Sequence, residues 1–291
     1  MSVSSVKQES MPKTIYLCAI SNVLSGSCKE DCSFCTQSSK YKTDIQRYNF
    51  KSPATVIEEA KKAKSNKAIG FCLVTSGAGL DKKRKTYMLN LLEELQKEEL
   101  ELNFIGCNGL ASLDDLKELK KAGLGSYNHN LESSKDYYKK ICSTHSWDER
   151  YKTAQAVKEA GLYLCSGGIF GMGESEKDRE DFINSLAELK PDSVAVNFYV
   201  PNPALPLKQN TITKNQAKEI VSEIKIRLPK SRIMIAGGRE YMFDNLEEVF
   251  ECGANSIVIG DYLTTKGEKE DKDIKMIEKL GLKIAKSCDG A

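Results

Sequence analysis

The feature that most constrains the fold is a regular alternation of short apolar segments with longer amphipathic ones along nearly the whole chain. The apolar segments have the length and residue types of buried β-strands, and the others place apolar residues at helical spacing. Strands are predicted at 14–20, 68–74, 102–107, 124–130, 162–166, 192–198, 232–236 and 255–259. Helices are predicted at 54–63, 83–100, 113–122, 147–160, 177–189, 214–227, 241–251 and 272–285.

Eight strands, each followed by a helix, predict an α/β fold of the (β/α)₈ TIM-barrel type. A doubly wound open sheet is the alternative, but no G-x-G-x-x-G motif opens an early helix. We expect a polar segment at 1–13 and the barrel at 14–263. At 264–291 we expect a charged connector and a last helix that caps the barrel.

The charge and composition limit the partners and the cellular compartment that we expect for this chain. Forty-three basic and 41 acidic residues give a net charge of +2 without a basic tract, so neither nucleic acid nor a membrane surface is an expected partner. The first residues lack the apolar stretch of a signal peptide, and no run reaches the roughly 18 apolar residues of a membrane span. We therefore expect a cytoplasmic protein, in which ten cysteines indicate metal binding or catalysis rather than disulfides.

Three of these cysteines, Cys28, Cys32 and Cys35, form a C-x₃-C-x₂-C triplet after the first predicted strand. Structural zinc sites and ordinary iron–sulfur sites use four protein ligands, whereas three ligands on a [4Fe–4S] cluster leave one iron open to a small molecule. The alternatives are a zinc knuckle or three unrelated thiols, but no further Cys or His follows at finger-like spacing.

The triplet, followed by Thr36-Gln37-Ser38-Ser39, resembles the signature of the radical S-adenosylmethionine (SAM) superfamily. The resemblance implies that the open iron binds SAM and that one electron splits SAM to a 5′-deoxyadenosyl radical. Such a radical needs a closed, dry site, which a barrel covered by its cluster loop provides.

Three further cysteines, Cys72, Cys107 and Cys165, lie in or at the ends of the second, third and fifth predicted strands. Side chains alternate along a strand, so inward-pointing thiols on neighbouring barrel strands converge on the barrel interior. For each cysteine taken singly, the alternative is a small apolar side chain that only packs. The regular distribution of the three favours a second metal site.

Further motifs extend the resemblance, from about Cys18 to Leu282, to the biotin synthase family. In chain order they are Gln37-Ser38-Ser39-Lys40-Tyr41-Lys42-Thr43, Phe71-Cys72, Tyr127-Asn128-His129-Asn130-Leu131-Glu132, Cys165-Ser166-Gly167-Gly168-Ile169, Gly173-Glu174, Gly238-Arg239-Glu240 and Gly253-Ala254-Asn255-Ser256. The resemblance implies a sulfurtransferase that converts dethiobiotin to biotin, using SAM, a [4Fe–4S] cluster and an auxiliary [2Fe–2S] cluster as sulfur donor. It also implies an electron donor such as flavodoxin or ferredoxin, and a homodimer.

Carried over residue by residue, the resemblance implies that Asn128 and Asn197 bind the ureido ring of the substrate. The amide of each residue offers a donor and an acceptor. It assigns SAM binding to Asn130, Glu132, Arg150, Gly167 and Gly168. Within that set, Arg150 pairs with the SAM carboxylate and the two glycines let the backbone approach SAM closely. Glu132 stands where the family commonly has Asp.

The chain departs from the family pattern at the auxiliary cluster, which in the family is held by three cysteines and one arginine. Met234 occupies the arginine position, and Arg232 lies two residues earlier. The third-strand thiol is displaced from the position of Ile105 to Cys107, a shift of two residues that keeps it on the same strand face. Cys18 is a candidate fourth ligand in place of the arginine, or a residue that merely packs. Alternatively, Cys72, Cys107 and Cys165 alone hold a larger cluster with an exchangeable sulfide.

Two other functions compete with this interpretation. One is another radical SAM barrel enzyme that rearranges amino acids or builds a hydrogenase cofactor; the other is an iron–sulfur scaffold or electron carrier without radical chemistry. Cleavage of SAM by the reduced protein would distinguish either enzyme from the scaffold. His129 is expected to pack or to form hydrogen bonds, while His145, Cys142, Cys252 and Cys288 receive no role.

Overall fold

The computed structural model describes residues 11–26, 28–208, 210–264 and 267–288. Its strands are β1 (Thr14–Leu24), β2 (Gly70–Thr75), β3 (Asn103–Cys107), β4 (Ser126–Asn128), β5 (Tyr163–Cys165), β6 (Gly168–Phe170), β7 (Ser193–Phe198), β8 (Arg232–Ile235), β9 (Ser256–Val258) and β10 (Lys283–Ile284). Its helices are α1 (Pro53–Ser65), α2 (Lys82–Gln96), α3 (Leu113–Lys121), α4 (Lys135–Ile141), α5 (Trp147–Glu159), α6 (Glu176–Leu189), α7 (Lys214–Arg227), α8 (Arg239–Met242), α9 (Leu246–Glu251) and α10 (Glu270–Lys279). Residues 1–10 of the predicted polar segment at 1–13 lie outside the described residues.

The strands close into a parallel barrel. Pairing runs from β1 through β2, β3, β4, β5, β7 and β8 to β9, and β9 pairs with β1 again. The short strand β6 follows β5 after two residues and also pairs with β7. Eight strand positions, paired in parallel, joined by helices and closed by the pairing of β9 with β1, confirm the predicted (β/α)₈ barrel.

The strand pleat separates a face under the helices from a face inside the barrel. On β3, Phe104 is almost fully buried in the main core under the helices, whereas Ile105 and Cys107 line cavities of the interior. On β1, Leu17 packs in the same core and Cys18 faces the interior. The period-two alternation thus places the strand cysteines inside the barrel.

Several element boundaries differ from the predicted ones. The fifth predicted strand, 162–166, ends at Cys165, and the helix predicted at 241–251 is divided into α8 and α9. The helix predicted at 83–100 ends at Gln96, and Glu99 and Glu101 beyond it have left-handed φ angles of 46° and 50°, which no right-handed helix includes. Helix α4 was not predicted.

The C-terminal helix is shorter than predicted, and a strand replaces its last turn. Helix α10 ends at Lys279, and Gly281 turns the chain with a φ of +70°. Residues Lys283 and Ile284 then pair in parallel with the start of β1. In the described part of the chain, no helix is both long and apolar enough to cross a membrane.

Candidate functional site

The loop between β1 and α1 carries the cysteine triplet at the carboxyl ends of the barrel strands. Backbone hydrogen bonds fold this loop on itself: the Cys35 N–H donates to the Cys32 carbonyl at 3.0 Å, and the Ser39 N–H donates to the Cys28 carbonyl at 2.7 Å. These bonds hold the three cysteines in one compact turn. The carboxyl ends of the strands are also where barrel enzymes bind their ligands.

The three thiols of the triplet line a single cavity of about 180 Å³, which we call the loop cavity. The rest of its wall includes Thr75, Ser76, Cys107, Asn128, Asn130, Glu132, His145 and Arg150. Burial raises the pKa of Cys28, although Arg84 opposes that rise, and raises that of Cys35 to about 11, so a further positive charge is needed to make these thiols ionise at neutral pH. Buried thiols become thiolate ligands when a metal supplies that charge, and the triplet therefore fits an iron–sulfur cluster with three protein ligands.

Two amide groups in the loop cavity have oxygens without a partner. The nitrogen of Asn128 donates to Cys107 Sγ at 3.2 Å, and the nitrogen of Asn130 donates to Glu132 Oε2 at 3.4 Å. The amide oxygen of each residue is buried and accepts no hydrogen bond from the described part of the chain. Because unsatisfied buried polar atoms are rare, these oxygens indicate polar ligands that complete the cavity.

Arg150 and Glu132 form a buried ion pair on the same wall. A capping box between Ser146 and Glu149 starts α5 and positions Arg150 on its first turn. The guanidinium donates to Glu132 Oε1 at 3.2 Å and to the Asn130 carbonyl at 2.6 Å. Burial raises the pKa of Glu132, and the neighbouring guanidinium opposes that rise. Glu132 also has a left-handed φ of 69°, an uncommon backbone conformation for this residue type.

Asn197, Gly167 and Gly168 do not line the loop cavity. The nitrogen of Asn197 donates to the Gly168 carbonyl at 3.1 Å, and its oxygen accepts from the Gly237 N–H at 2.9 Å. A Cβ on Gly167 would lie 1.9 Å from the carbonyl oxygen of Ala195, and one on Gly168 would lie 2.4 Å from that of Glu132. Close packing of neighbouring strands is therefore sufficient to explain both glycines.

The strand cysteines occupy two levels of the barrel interior. Cys72 and Cys107 influence each other: the neighbouring thiol raises the pKa of Cys72 and lowers that of Cys107. Cys18 and Cys165 line a second cavity of about 360 Å³, which we call the inner cavity, and burial raises the pKa of each to about 12. Cys107 faces the loop cavity, so the displaced thiol lies nearer to the triplet than Ile105, which lines the inner cavity.

The two residues considered for the missing arginine ligand both line the inner cavity. Arg232 lies 4.0 Å from the ring centroid of Tyr16 and donates to the backbone carbonyl of Cys288. Its guanidinium is thus engaged at the amino-terminal end of the barrel. Met234 offers only a thioether, which is a weak ligand for iron beside thiolates.

A group missed by the sequence analysis lies next to the triplet. Cys142 Sγ is 3.6 Å from Cys32 Sγ, and His145 Nδ1 is 3.3 Å from Cys142 Sγ and 2.7 Å from Glu30 Oε2. The contact with Cys32 and the neighbouring His145 lower the pKa of Cys142. The C-x₂-H spacing of residues 142 and 145 was the available signal, but their proximity to the triplet depends on the fold.

Comparisons with known proteins agree with this arrangement. The family model "Radical SAM superfamily" matches residues 22–186, and the model "Biotin and Thiamin Synthesis associated domain" matches residues 195–283. Among solved structures, the FeFe-hydrogenase maturase HydG from Carboxydothermus hydrogenoformans is 20% identical with a TM-score of 0.81, covering 97% of this chain and 70% of that one. Methylornithine synthase is 20% identical with a TM-score of 0.77, covering 96% and 86%. These structural likenesses concern the fold. The family model that matches residues 22–186 includes the cysteine loop, and it shows that the chain is a radical SAM protein.

Curated relatives narrow the class further. The biotin synthase of Nitratiruptor sp. is 56% identical over 275 residues, covering 94% of this chain and 99% of the relative. Those of Sulfurovum sp. and Campylobacter jejuni are 54% and 51% identical over 279 and 275 residues, covering 95% and 94% of this chain and 98% and 99% of the relatives. The chain belongs to the biotin synthase family.

Proposed function

We propose that this chain converts dethiobiotin to biotin by inserting sulfur between two carbons. The observation that carries the proposal is the position of Asn128 between two groups of thiols. Asn128 lines the loop cavity together with the triplet, and its amide donates to Cys107, whose thiol in turn influences that of Cys72. A substrate held by Asn128 therefore lies between the cluster loop and the interior thiols.

In this proposal Cys28, Cys32 and Cys35 hold a [4Fe–4S] cluster, and the strand cysteines hold an auxiliary cluster. When bound, the loop cluster with SAM supplies a deoxyadenosyl radical, and the auxiliary cluster supplies sulfur. The thiols contribute negative ligands, and burial under the cluster loop excludes water from the reacting groups. The alternative radical SAM enzymes are disfavoured by the high identity to biotin synthases along nearly the whole chain.

SAM binding is assigned to the part of the loop cavity that Asn130, Glu132 and Arg150 line. Arg150 presents a guanidinium that suits the SAM carboxylate, and Asn130 has a free amide oxygen for the ribose region. Glu132 accepts from Arg150 and is placed to accept from ribose hydroxyls. For Gly167 and Gly168 we retain backbone approach to SAM, alongside the strand packing described above.

Substrate binding is assigned to Asn128 and Asn197. The free oxygen of Asn128 is an acceptor for a ureido N–H, and its nitrogen is a donor for a ureido carbonyl. Asn197 bonds backbone groups of Gly168 in β6 and of Gly237 in the turn after β8, so its role requires that it exchange one of these bonds for the substrate.

The auxiliary cluster is assigned to Cys72, Cys107 and Cys165, with Cys18 as the candidate fourth ligand. Cys165 is buried and the other three are half-buried on inward-facing strand positions, and the thiols of Cys72 and Cys107 influence each other, which supports this set. Two forms are open: a four-thiolate site completed by Cys18, or a larger cluster on three thiolates with an exchangeable sulfide. The methionine at 234 disfavours the family's arginine-ligated [2Fe–2S] form.

The remaining partners follow from the family. We propose a small electron carrier, flavodoxin or ferredoxin, as the donor to the loop cluster, a homodimer as the working assembly and the cytoplasm as the location. A radical SAM enzyme needs a reductant that reaches its cluster, and the compartment must keep thiols reduced.

Anaerobic reconstitution tests the function. The full chain is loaded with iron and sulfide, both elements are counted, and SAM, reductant and dethiobiotin are added. We expect two clusters per chain, deoxyadenosine and biotin. Deoxyadenosine without biotin would favour another radical SAM reaction, and neither product from a loaded chain would favour a scaffold.

A further inference from the structure

Three ligand-type side chains from two distant segments meet beside the cluster loop. The ligand atoms of Cys32, Cys142 and His145 all lie within 4.8 Å of one another. Cys32 belongs to the triplet, whereas Cys142 and His145 belong to the segment between α4 and α5. Cys142 is buried, and the side chain of His145 is only 7% exposed. The function proposed above gives no role to either of these two residues.

The spacing of these atoms fits a tetrahedral metal site. Zinc bonds of about 2.3 Å to sulfur and 2.0–2.1 Å to nitrogen separate two sulfurs by about 3.8 Å and a sulfur from a nitrogen by about 3.5 Å. Cys32 Sγ and Cys142 Sγ are 3.6 Å apart, and Cys142 Sγ and His145 Nδ1 are 3.3 Å apart. These two separations differ from those of a zinc tetrahedron by only a few tenths of an ångström, and the third, between Cys32 Sγ and the imidazole nitrogen, is at most 4.8 Å, so a small movement of the ring closes the site.

Hydrogen bonds hold the second segment against the cluster loop. The carboxylate of Asp31 accepts from the N–H of Ser143 at 2.9 Å and from the hydroxyl of Thr144 at 3.1 Å. These bonds fix the residues between Cys142 and His145 on the loop that carries Cys32. The three ligand atoms are thus brought together by contacts that do not involve them.

The surroundings of His145 match those of a metal-binding histidine. Metal-bound histidines donate their second ring N–H to a neighbouring acceptor. The hydroxyl of Tyr138 is 2.8 Å from His145 Nε2 and is the acceptor available to the Nε2–H when Nδ1 binds a metal, whereas the Arg150 guanidinium, 3.3 Å from Nε2, can only donate and must then point away. Glu30 Oε2, 2.7 Å from Nδ1, is placed to take the proton that metal binding displaces, or to accept from a metal-bound water.

We propose that, in the chain without its loop cluster, Cys32, Cys142 and His145 bind one thiophilic divalent cation, Zn²⁺, with water in the fourth position beside Glu30. The cation and a cluster exclude each other because both require Cys32. Bound zinc protects the Cys32 thiolate from oxidation, and its release precedes cluster assembly. The exclusion rests on the proposed assignment of Cys32 to the cluster, whereas zinc binding does not.

The test titrates the cluster-free, reduced full chain with Co²⁺, followed by displacement with Zn²⁺. Cobalt reports a tetrahedral site through its d–d bands and reports thiolate ligands through charge-transfer absorption. The variants are Cys142→Ser and His145→Gln, which preserve side-chain size, and the matched controls are Cys28→Ser in the same loop and Cys72→Ser among the interior thiols. Circular dichroism checks that each variant is folded.

We expect the wild type to bind one cobalt with about two thiolates at this site, and Cys142→Ser and His145→Gln each to weaken that binding by at least about tenfold. Cys28→Ser should leave it unchanged, and Cys72→Ser should remove only metal bound by the interior thiols. If cobalt binding is lost in Cys28→Ser and retained in Cys142→Ser and His145→Gln, the metal is bound by the triplet and the proposal is overturned. No cobalt site in the wild type would do the same.

A second measurement tests the exclusion. Zinc added before reconstitution should slow assembly of the loop cluster in the wild type, as followed by its absorbance, and slow it much less in Cys142→Ser. Equal rates with and without bound zinc would refute the exclusion. Because both readouts precede turnover, they are independent of whether the loaded chain makes biotin.

Discussion

The amide nitrogen of Asn128 lies 3.2 Å from the sulfur of Cys107. This contact joins a residue of the loop cavity to the thiols of the barrel interior, and it exists because the displaced cysteine stands one strand layer closer to the mouth than Ile105. A cysteine at position 105 would instead face the inner cavity. The two-residue displacement thus brings an auxiliary thiol within hydrogen-bond distance of the proposed substrate ligand.

Replacing Cys28, Cys32 or Cys35 singly by Ala should abolish deoxyadenosine formation and leave the secondary structure unchanged. In the proposed assignment each thiol is one of three protein ligands, and two thiols are too few to hold the cluster. Deoxyadenosine is measured after reconstitution with SAM and reductant. Cys252→Ala, a change in a half-buried cysteine after α9, is the control; cleavage of SAM in any triplet variant would contradict the assignment.

Asn128→Ala and Asn197→Ala should each weaken dethiobiotin binding by about 1–3 kcal/mol, the cost of leaving a buried polar partner unsatisfied. Asn197→Ala should in addition lower the free energy of unfolding, because this side chain bonds two backbone groups. Binding is measured by equilibrium dialysis on the SAM-loaded chain. Asn90→Ala on the exposed face of α2 is the control, and unchanged affinity in both variants would remove them from the substrate site.

Cys18→Ser distinguishes the two forms of the auxiliary cluster. A changed auxiliary signal in Mössbauer or electron paramagnetic resonance spectra is expected if Cys18 is the fourth ligand, and an unchanged four-iron signal if three thiolates suffice. The loop cluster in the same sample provides the internal reference.

Cys107→Ala should prevent assembly of the auxiliary cluster and formation of biotin, while the loop cluster still cleaves SAM. Iron counts and biotin formation are measured on the same reconstituted sample. A variant that assembles the auxiliary cluster and makes biotin would show that the displaced thiol is not a ligand.

Arg150→Met should lower the free energy of unfolding by about 3–5 kcal/mol near neutral pH, because it leaves the Glu132 carboxylate buried without its partner. Burial already raises the pKa of Glu132 in the folded state, so its contribution to stability is lost as pH rises through that pKa. The destabilisation should therefore shrink as pH falls toward the ordinary carboxyl range of about 4–5, where Glu132 is protonated. Denaturant unfolding at several pH values measures this, and a pH-independent loss would contradict it. The double variant with Glu132→Gln should recover part of the stability.

The barrel and the triplet could be predicted because each depends on short-range patterns. Apolar runs and helical stripes repeat along the chain, and three cysteines within eight residues must share one loop. The two-residue strand β10 could not be predicted, because so short a segment is a strand only when β1 is there to pair with it. The contact of Cys142 with Cys32 was likewise unpredictable, since the two are 110 residues apart and meet only through the barrel.

The pairing of β10 with β1 has a consequence for access to the interior thiols. Cys288, four residues beyond β10, lines the inner cavity together with Cys18 and Cys165. The segment 283–288 therefore forms part of the wall at the amino-terminal end of the barrel, on the side away from the cluster loop. Removing this segment would expose the thiols of the inner cavity to solvent from that end.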